Sequence, residues 1–250
     1  AKSGAGPFAK ASMSPILQLN RLQKSFGAVV VAEELSLELD EGEALGIIGP
    51  NGAGKTTMFN LITGTLRPDS GSITFQDTDI TKQSAPYRCR AGIARSFQVP
   101  QPFSGMTVFE NAMVAATQAA GLSGREAEQF ALDVLAQTAL IDKANQTAGS
   151  LTLLDRKRLE LTRALCTKPK LLLLDEIAGG LTDHECTSLI ETIQEVHASG
   201  VSIIWIEHVV HALMAVVSRL IVIDFGRKIA EGEPKAIMAS PEVQEIYLGI

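Results

Sequence analysis

At 250 residues and 46% hydrophobic, the chain can bury one substantial core, or a core with a smaller attached lobe. A formal net charge of -6 with no long Lys/Arg block argues against a nucleic-acid binder. Cys89, Cys166 and Cys186 are odd in number and widely spaced, so they form neither a disulfide framework nor a metal cluster and suit a reducing compartment. No uninterrupted apolar run is long enough to cross a bilayer.

Residues 1–13 are rich in Gly, Ala, Ser and Lys without periodicity and read as a disordered leader or an expression remnant, with one folded unit expected over 14–250. Ile16, Leu17 and Leu19 open an apolar segment, and Leu35, Leu37 and Leu39 alternate with polar residues as a half-buried strand does. After a turn at Glu41-Gly42-Glu43, residues 44–48 read as a buried strand, and a helix should begin near Lys55 with Met58, Phe59, Leu61 and Ile62 facing the core. Residues 68–71 end that unit and Ser72–Phe75 begin another strand. From about 100 to 166 the pattern is helical, with Phe130, Val134 and Leu135 on one face, so a helical subdomain is inserted there. Strand patterns return at 170–175, 202–207 and 220–224, with an amphipathic helix through Leu189, Ile190, Ile193 and Val196. This alternation predicts an α/β core.

The chemistry begins at Gly49-Pro50-Asn51-Gly52-Ala53-Gly54-Lys55-Thr56, a phosphate-binding loop between strand and helix. Its backbone amides curl around a phosphate chain, and the glycines at 49, 52 and 54 keep side chains out of that curl. Lys55 would reach the β- and γ-phosphates and Thr56 would offer a hydroxyl to Mg²⁺, while Asn51 and Thr57 flank the same nucleotide. Leu171–Leu174 lead to Asp175, suited to hold magnesium, and Glu176, suited to orient or deprotonate an attacking water. Glu207-His208 follows another apolar run. By pattern alone His208 is as consistent with a structural histidine as with a γ-phosphate sensor.

This set resembles the nucleotide-binding subunit of an ABC transporter over almost the whole chain, from about Ile16 to Gly249. Lys55 and Thr56 match Walker A, Asp175 and Glu176 match Walker B with its catalytic glutamate, Gln98 matches the Q-loop glutamine and His208 the switch histidine. The resemblance implies a P-loop ABC-type ATPase domain with a mixed β core, an N-terminal antiparallel β subdomain and an inserted helical subdomain. It further implies ATP and Mg²⁺ as ligands, with Thr56, Gln98 and Asp175 near the metal. Phe26 resembles the aromatic that stacks on adenine, with a plain core phenylalanine as the alternative. Arg95–Gln98, Met106–Asn111, Arg158–Leu161, Ile206–His208 and the tail at Ile229–Pro234 and Tyr247–Gly249 resemble more narrowly the ATPases of branched-chain amino-acid importers. ATPases of related lipid or amide transporters share much of this pattern.

The departures lie in the signature motif. Where the family has L-S-G-G-Q or L-x-Y-G-Q, this chain reads Leu151-Thr152-Leu153-Leu154-Asp155. Thr152 keeps a hydroxyl donor, Leu154 replaces a glycine with bulk, and Asp155 puts a carboxylate where a triphosphate would be repelled. Ile177 and Thr182 also depart, from a proline and from the D-loop Asp or Asn. The resemblance implies a head-to-tail pair of ATPase subunits, each ATP lying between one Walker A and the other's signature. Intact catalytic residues beside a damaged signature favour a heterodimer with one competent and one degenerate site over a homodimer. The implied partners are transmembrane permease subunits and, indirectly, a periplasmic or extracellular solute-binding protein, which puts the chain in the cytoplasm at the membrane face. Pro100, Pro102, Phe103 and Met106 either contact the permease or fill the junction between lobes. A regulatory subunit that hardly hydrolyses ATP is the other reading. A nucleic-acid-associated ATPase would bring tandem domains, a coiled coil or a basic face.

Overall fold

The computed structural model describes residues 15–248, with side chains through residue 245. The expected leader over 1–13 lies outside the described residues. Among those residues the strands form two sheets. In the first, β1 (Leu17–Phe26), β2 (Val29–Leu39), β4 (Ser70–Phe75) and β5 (Thr78–Asp79) run antiparallel in the order β2-β1-β4-β5. The second has the order β10-β9-β3-β8-β7-β6, built from β3 (Ala44–Ile48), β6 (Ile93–Arg95), β7 (Leu171–Asp175), β8 (Ser202–Ile206), β9 (Arg219–Asp224) and β10 (Arg227–Gly232). Its neighbours pair parallel except at β9 and β10.

The parallel strands read as unbroken apolar runs because both of their faces are covered. Leu45, Ile47, Leu171, Leu173, Ile204, Ile206, Ile221 and Ile223 face a core shared with the antiparallel sheet and α1 (Lys55–Thr63). Their neighbours Ile48, Leu172, Leu174, Ile203, Trp205, Leu220 and Val222 face a second core with the helices. The period of two thus splits one sheet between two cores.

Helix α2 (Ala85–Ala91) precedes β6. Beyond β6, residues 96–107 carry no helix, and α3 (Val108–Gln118) starts only where Thr107 caps it in a reciprocal box with Glu110. The helical group continues with α4 (Gly124–Gln137) and α5 (Leu153–Leu165), whose inward faces include Ala112, Ala131, Leu135 and Leu159. Helix α6 (Asp183–Ala198) carries Leu189, Ile190, Ile193 and Val196 into the same core, and α7 (Val210–Val216), α8 (Pro234–Met238) and α9 (Pro241–Leu248) follow. Sequence patterning missed β5, β6 and β10. The first two are 2 and 3 residues long, too short to show alternation, and β10 is an edge strand with no buried residue. Among the described residues no helix is long and apolar enough to cross a membrane.

Candidate nucleotide site

β3 ends at Ile48 and α1 begins at Lys55, so residues 49–54 form a tight loop over the end of the parallel sheet. Two glycines set its path. Gly49 has φ +156°, and a Cβ there would sit 2.0 Å from the Ile223 carbonyl oxygen; Gly54 has φ +100°, with a Cβ 2.4 Å from the Val31 carbonyl oxygen. Room for a phosphate is therefore only part of the glycine requirement, because at both positions the neighbouring main chain already excludes a side chain. The Lys55 ammonium is buried and donates to the carbonyls of Gly49 (2.7 Å) and Pro50 (2.9 Å). Burial lowers its pKa, opposed by the charges of Glu176 and Asp175.

A cavity of about 550 Å³ opens over this loop, lined by Asn51, Gly52, Gly54, Lys55, Thr56 and Thr57. Gln98, Glu176 and His208, drawn from three other segments, line the same cavity. Gln98 Nε2 donates to one carboxylate oxygen of Glu176, and His208 Nε2 lies 3.0 Å from the other. Glu176 has φ +47°, a left-handed conformation uncommon for a residue with a side chain, while its N–H donates to the Ile206 carbonyl at 2.8 Å. The strained backbone turns its carboxylate toward the cavity instead of along β7. Asp175 is buried beneath, paired with Arg95.

Two residues that sequence reasoning left without a role belong here. Val31 lines the cavity, whereas Phe26 does not: it is exposed, with its ring under the Lys24 ammonium. Glu207 is buried, accepting from Ala178 N–H at 2.9 Å and from His208 N–H at 2.9 Å, so it ties the segment after Glu176 to the histidine. Its only sequence signal was an acid after four apolar strand residues. Lys157 of α5 is buried behind them, its pKa lowered by burial and raised by the charges of Glu207 and Glu176.

The signature segment differs from expectation in three respects. Asp155 does not project a carboxylate: it is 3% exposed, accepts the Thr152 hydroxyl proton at 2.7 Å, and pairs with Lys143. Placed at the start of α5, that carboxylate is stabilised from inside the chain. Thr152 caps α5, accepting from Asp155 N–H at 3.3 Å, so its hydroxyl is engaged as donor and as acceptor. The outward bulk comes from Leu153, 46% exposed, while Leu154 packs on the helical core and Leu151 is buried. Thr182 caps α6 in a reciprocal box with Glu185, a role in which Thr serves as Asp or Asn would.

A glycine-bound loop between a central parallel strand and a helix, with carboxylates at the end of a second strand, defines a P-loop nucleoside triphosphatase. The ABC transporter family model matches residues 32–179, and a model described as branched-chain amino acid ATP-binding cassette transporter matches residues 227–250. The high-affinity branched-chain amino acid transport ATP-binding protein LivG of Salmonella typhimurium is 38% identical over 250 residues, covering 94% of this chain and 98% of that protein. The lipopolysaccharide export system ATP-binding protein LptB of Acidithiobacillus ferridurans is 32% identical, covering 95% and 98%. A crystal structure of a nucleotide-free ATP-binding cassette from an ABC transporter superposes with TM-score 0.87 at 31% identity, covering 94% of this chain and 100% of that one. A cassette in its ADP conformation gives 0.85 at 31%, covering 94% and 99%. The chain belongs to the ABC transporter family, as an ATPase coupled to transport. The expected fold class is met.

Proposed function

We propose that the chain is the ATP-hydrolysing subunit of an importer for branched-chain or related amino acids, peripheral on the cytoplasmic face of the membrane and working at an interface with a second ATPase subunit. The observation that carries this is the convergence of Lys55, Gln98, Glu176 and His208 on one cavity, while the signature polar atoms are used up within the chain. In this reading Asn51, Gly52, Gly54 and Thr57 surround the phosphates, and Lys55 leaves its loop carbonyls for the β- and γ-oxygens. Phe26, exposed at the end of β1, offers a face for adenine.

Thr56, Gln98 and Asp175 would hold Mg²⁺. These oxygen donors suit a hard cation, and among the described residues no cluster of three or more His, Cys, Asp or Glu offers an alternative metal site. The ion would neutralise charge developing on the phosphate oxygens. Glu176 orients and deprotonates water. Both of its oxygens are engaged by Gln98 and His208, so a γ-phosphate competing for those donors would free one for the water.

The partner's signature completes the site on Lys55 and Glu176, whereas the partner's own Walker A faces Leu151–Asp155. Thr152 has no hydroxyl proton to spare there and Leu153 obstructs approach, which favours a heterodimer with one competent site. The permease docks where Pro100, Pro102, Phe103 and Met106 border the helical group, and a solute-binding protein acts through it. The match over residues 227–250 favours amino acids over the lipid or amide alternative. The spent Thr152 hydroxyl also supports a second reading, a regulatory subunit with little hydrolysis.

The test is reconstitution with permease and partner in proteoliposomes, measuring ATP-driven leucine, isoleucine and valine uptake and the burst of ATP hydrolysed per assembly. Uptake with one fast site per assembly is expected. Two equally fast sites would end the asymmetric reading, no hydrolysis dependent on Glu176 would favour the regulatory one, and transport of lipid alone would overturn the substrate class.

A further inference from the structure

The Arg95 side chain is only 7% exposed, and it joins three segments of the candidate site. Nη2 donates to Asp175 Oδ2 at 2.5 Å, and Nη1 donates to Asn60 Oδ1 at 2.7 Å. The guanidinium carbon lies 5.4 Å from the Phe59 ring centroid and 5.0 Å from that of Phe97. Phe59 and Asn60 stand on α1, the helix that begins with Lys55 and Thr56; Phe97 precedes Gln98; Asp175 ends β7. Ser96 strengthens the join, donating its N–H to the Leu173 carbonyl at 2.9 Å and accepting from Asp175 N–H at 3.4 Å.

Stability alone accounts poorly for this arrangement. A buried ion pair roughly repays its own desolvation and is often replaceable by apolar side chains. Here one nitrogen of the group, Nε, is buried with no hydrogen-bond partner among the described residues, a further cost. What the arrangement gives is direction. A planar fork anchored on Asn60 and flanked by two rings can hold one carboxylate oxygen in a fixed place, which sets where the other points.

We propose that Arg95 is a positioning residue for the metal: by fixing Asp175 through Oδ2 it orients the carboxylate for Mg²⁺ and sets how tightly the cation is held. The proposal rests on the reading of Asp175 as the magnesium carboxylate. Arg95 and Phe97 also line a separate cavity of about 340 Å³ with Phe103, Glu160 and Arg163, so an occupant of that cavity would bear on the same guanidinium.

The test uses the full chain with a non-hydrolysable ATP analogue and Mn²⁺ as the probe, its affinity read by electron paramagnetic resonance. Arg95→Met should weaken Mn²⁺ binding about tenfold while leaving nucleotide affinity in EDTA unaltered, since loss of a group that orients a metal ligand has that scale of effect. Arg95→Lys should fall between, keeping the charge without the fork. Phe97→Ala removes an exposed flanking ring and should weaken Mn²⁺ binding about threefold, which keeps the test open if Arg95→Met does not fold. Unaltered Mn²⁺ affinity in the folded variants, even with a lower Tm, overturns the proposal. Wild-type Mn²⁺ binding that Asp175→Asn leaves intact would instead sink the reading of Asp175, and this inference with it.

Discussion

The cavity over Lys55 and the turn at Thr152 each gather polar side chains beside the start of a helix, α1 and α5, yet they use those side chains in opposite ways. At the cavity, Gln98, Glu176 and His208 bond one another at a surface that a ligand can enter. At the turn, Thr152 and Asp155 satisfy each other and Lys143, and the carboxylate is buried. A donor-bearing residue in a motif is therefore not yet an available donor. What decides is whether its hydrogen bonds are already made within the chain.

Removing the proposed base should produce the largest effect. Glu176→Gln in the assembled complex should cut turnover by about 10²-fold or more while ATP binding persists, because general base catalysis contributes on that scale. Steady-state hydrolysis and equilibrium nucleotide binding check it, and a loss under tenfold would remove Glu176 from the chemistry. Next comes the link behind it. Glu207→Gln keeps one acceptor but turns an amide NH₂ toward backbone N–H groups, which should cost about 1–3 kcal/mol in denaturant unfolding and lower turnover as His208 loses its anchor.

A smaller effect sharpens the contrast. Thr152→Ala should cost about 1 kcal/mol of stability as a lost helix cap. It should leave turnover of the assembled complex unaltered, since that hydroxyl is already given to Asp155. A parallel fall in turnover would show that Thr152 reaches the partner's nucleotide after all. The smallest effect is in acid. Backbone N–H bonds from Thr107 and Thr182 hold the Glu110 and Glu185 carboxyls below the usual range. A carboxyl with a depressed folded pKa stabilises above its unfolded pKa and loses that contribution as pH falls through the folded value. The Tm difference between wild type and Glu110→Gln/Glu185→Gln should therefore be present at neutral pH and vanish in acid.

Much of this was legible in the sequence, for a physical reason. β3, β7, β8 and β9 are buried on both faces, so their apolar runs stand out, and the loop after β3 has a composition forced by its backbone. Short or edge strands gave no such signal. Nor did the fate of Asp155, because Lys143 reaches it from a separate turn and the pairing exists only once the helical group has folded. Arg95 stood inside a recognised motif, but its hold on Asp175 crosses 80 positions of sequence. Local pattern names the groups; tertiary hydrogen bonding decides which of them remain free to act.

On the proposed reading, this chain's own signature face cannot complete an ATP site. The most direct measurement is steady-state Mg-ATP turnover by the isolated chain, beside Leu153→Gly/Asp155→Gln, which removes the exposed bulk and the acceptor of the Thr152 hydroxyl, and with Glu176→Gln as background. Wild-type turnover should lie near background and rise about tenfold or more in the double variant, the scale on which a phosphate-facing donor contributes. Robust wild-type turnover, abolished by Glu176→Gln and not raised by the double substitution, would contradict it.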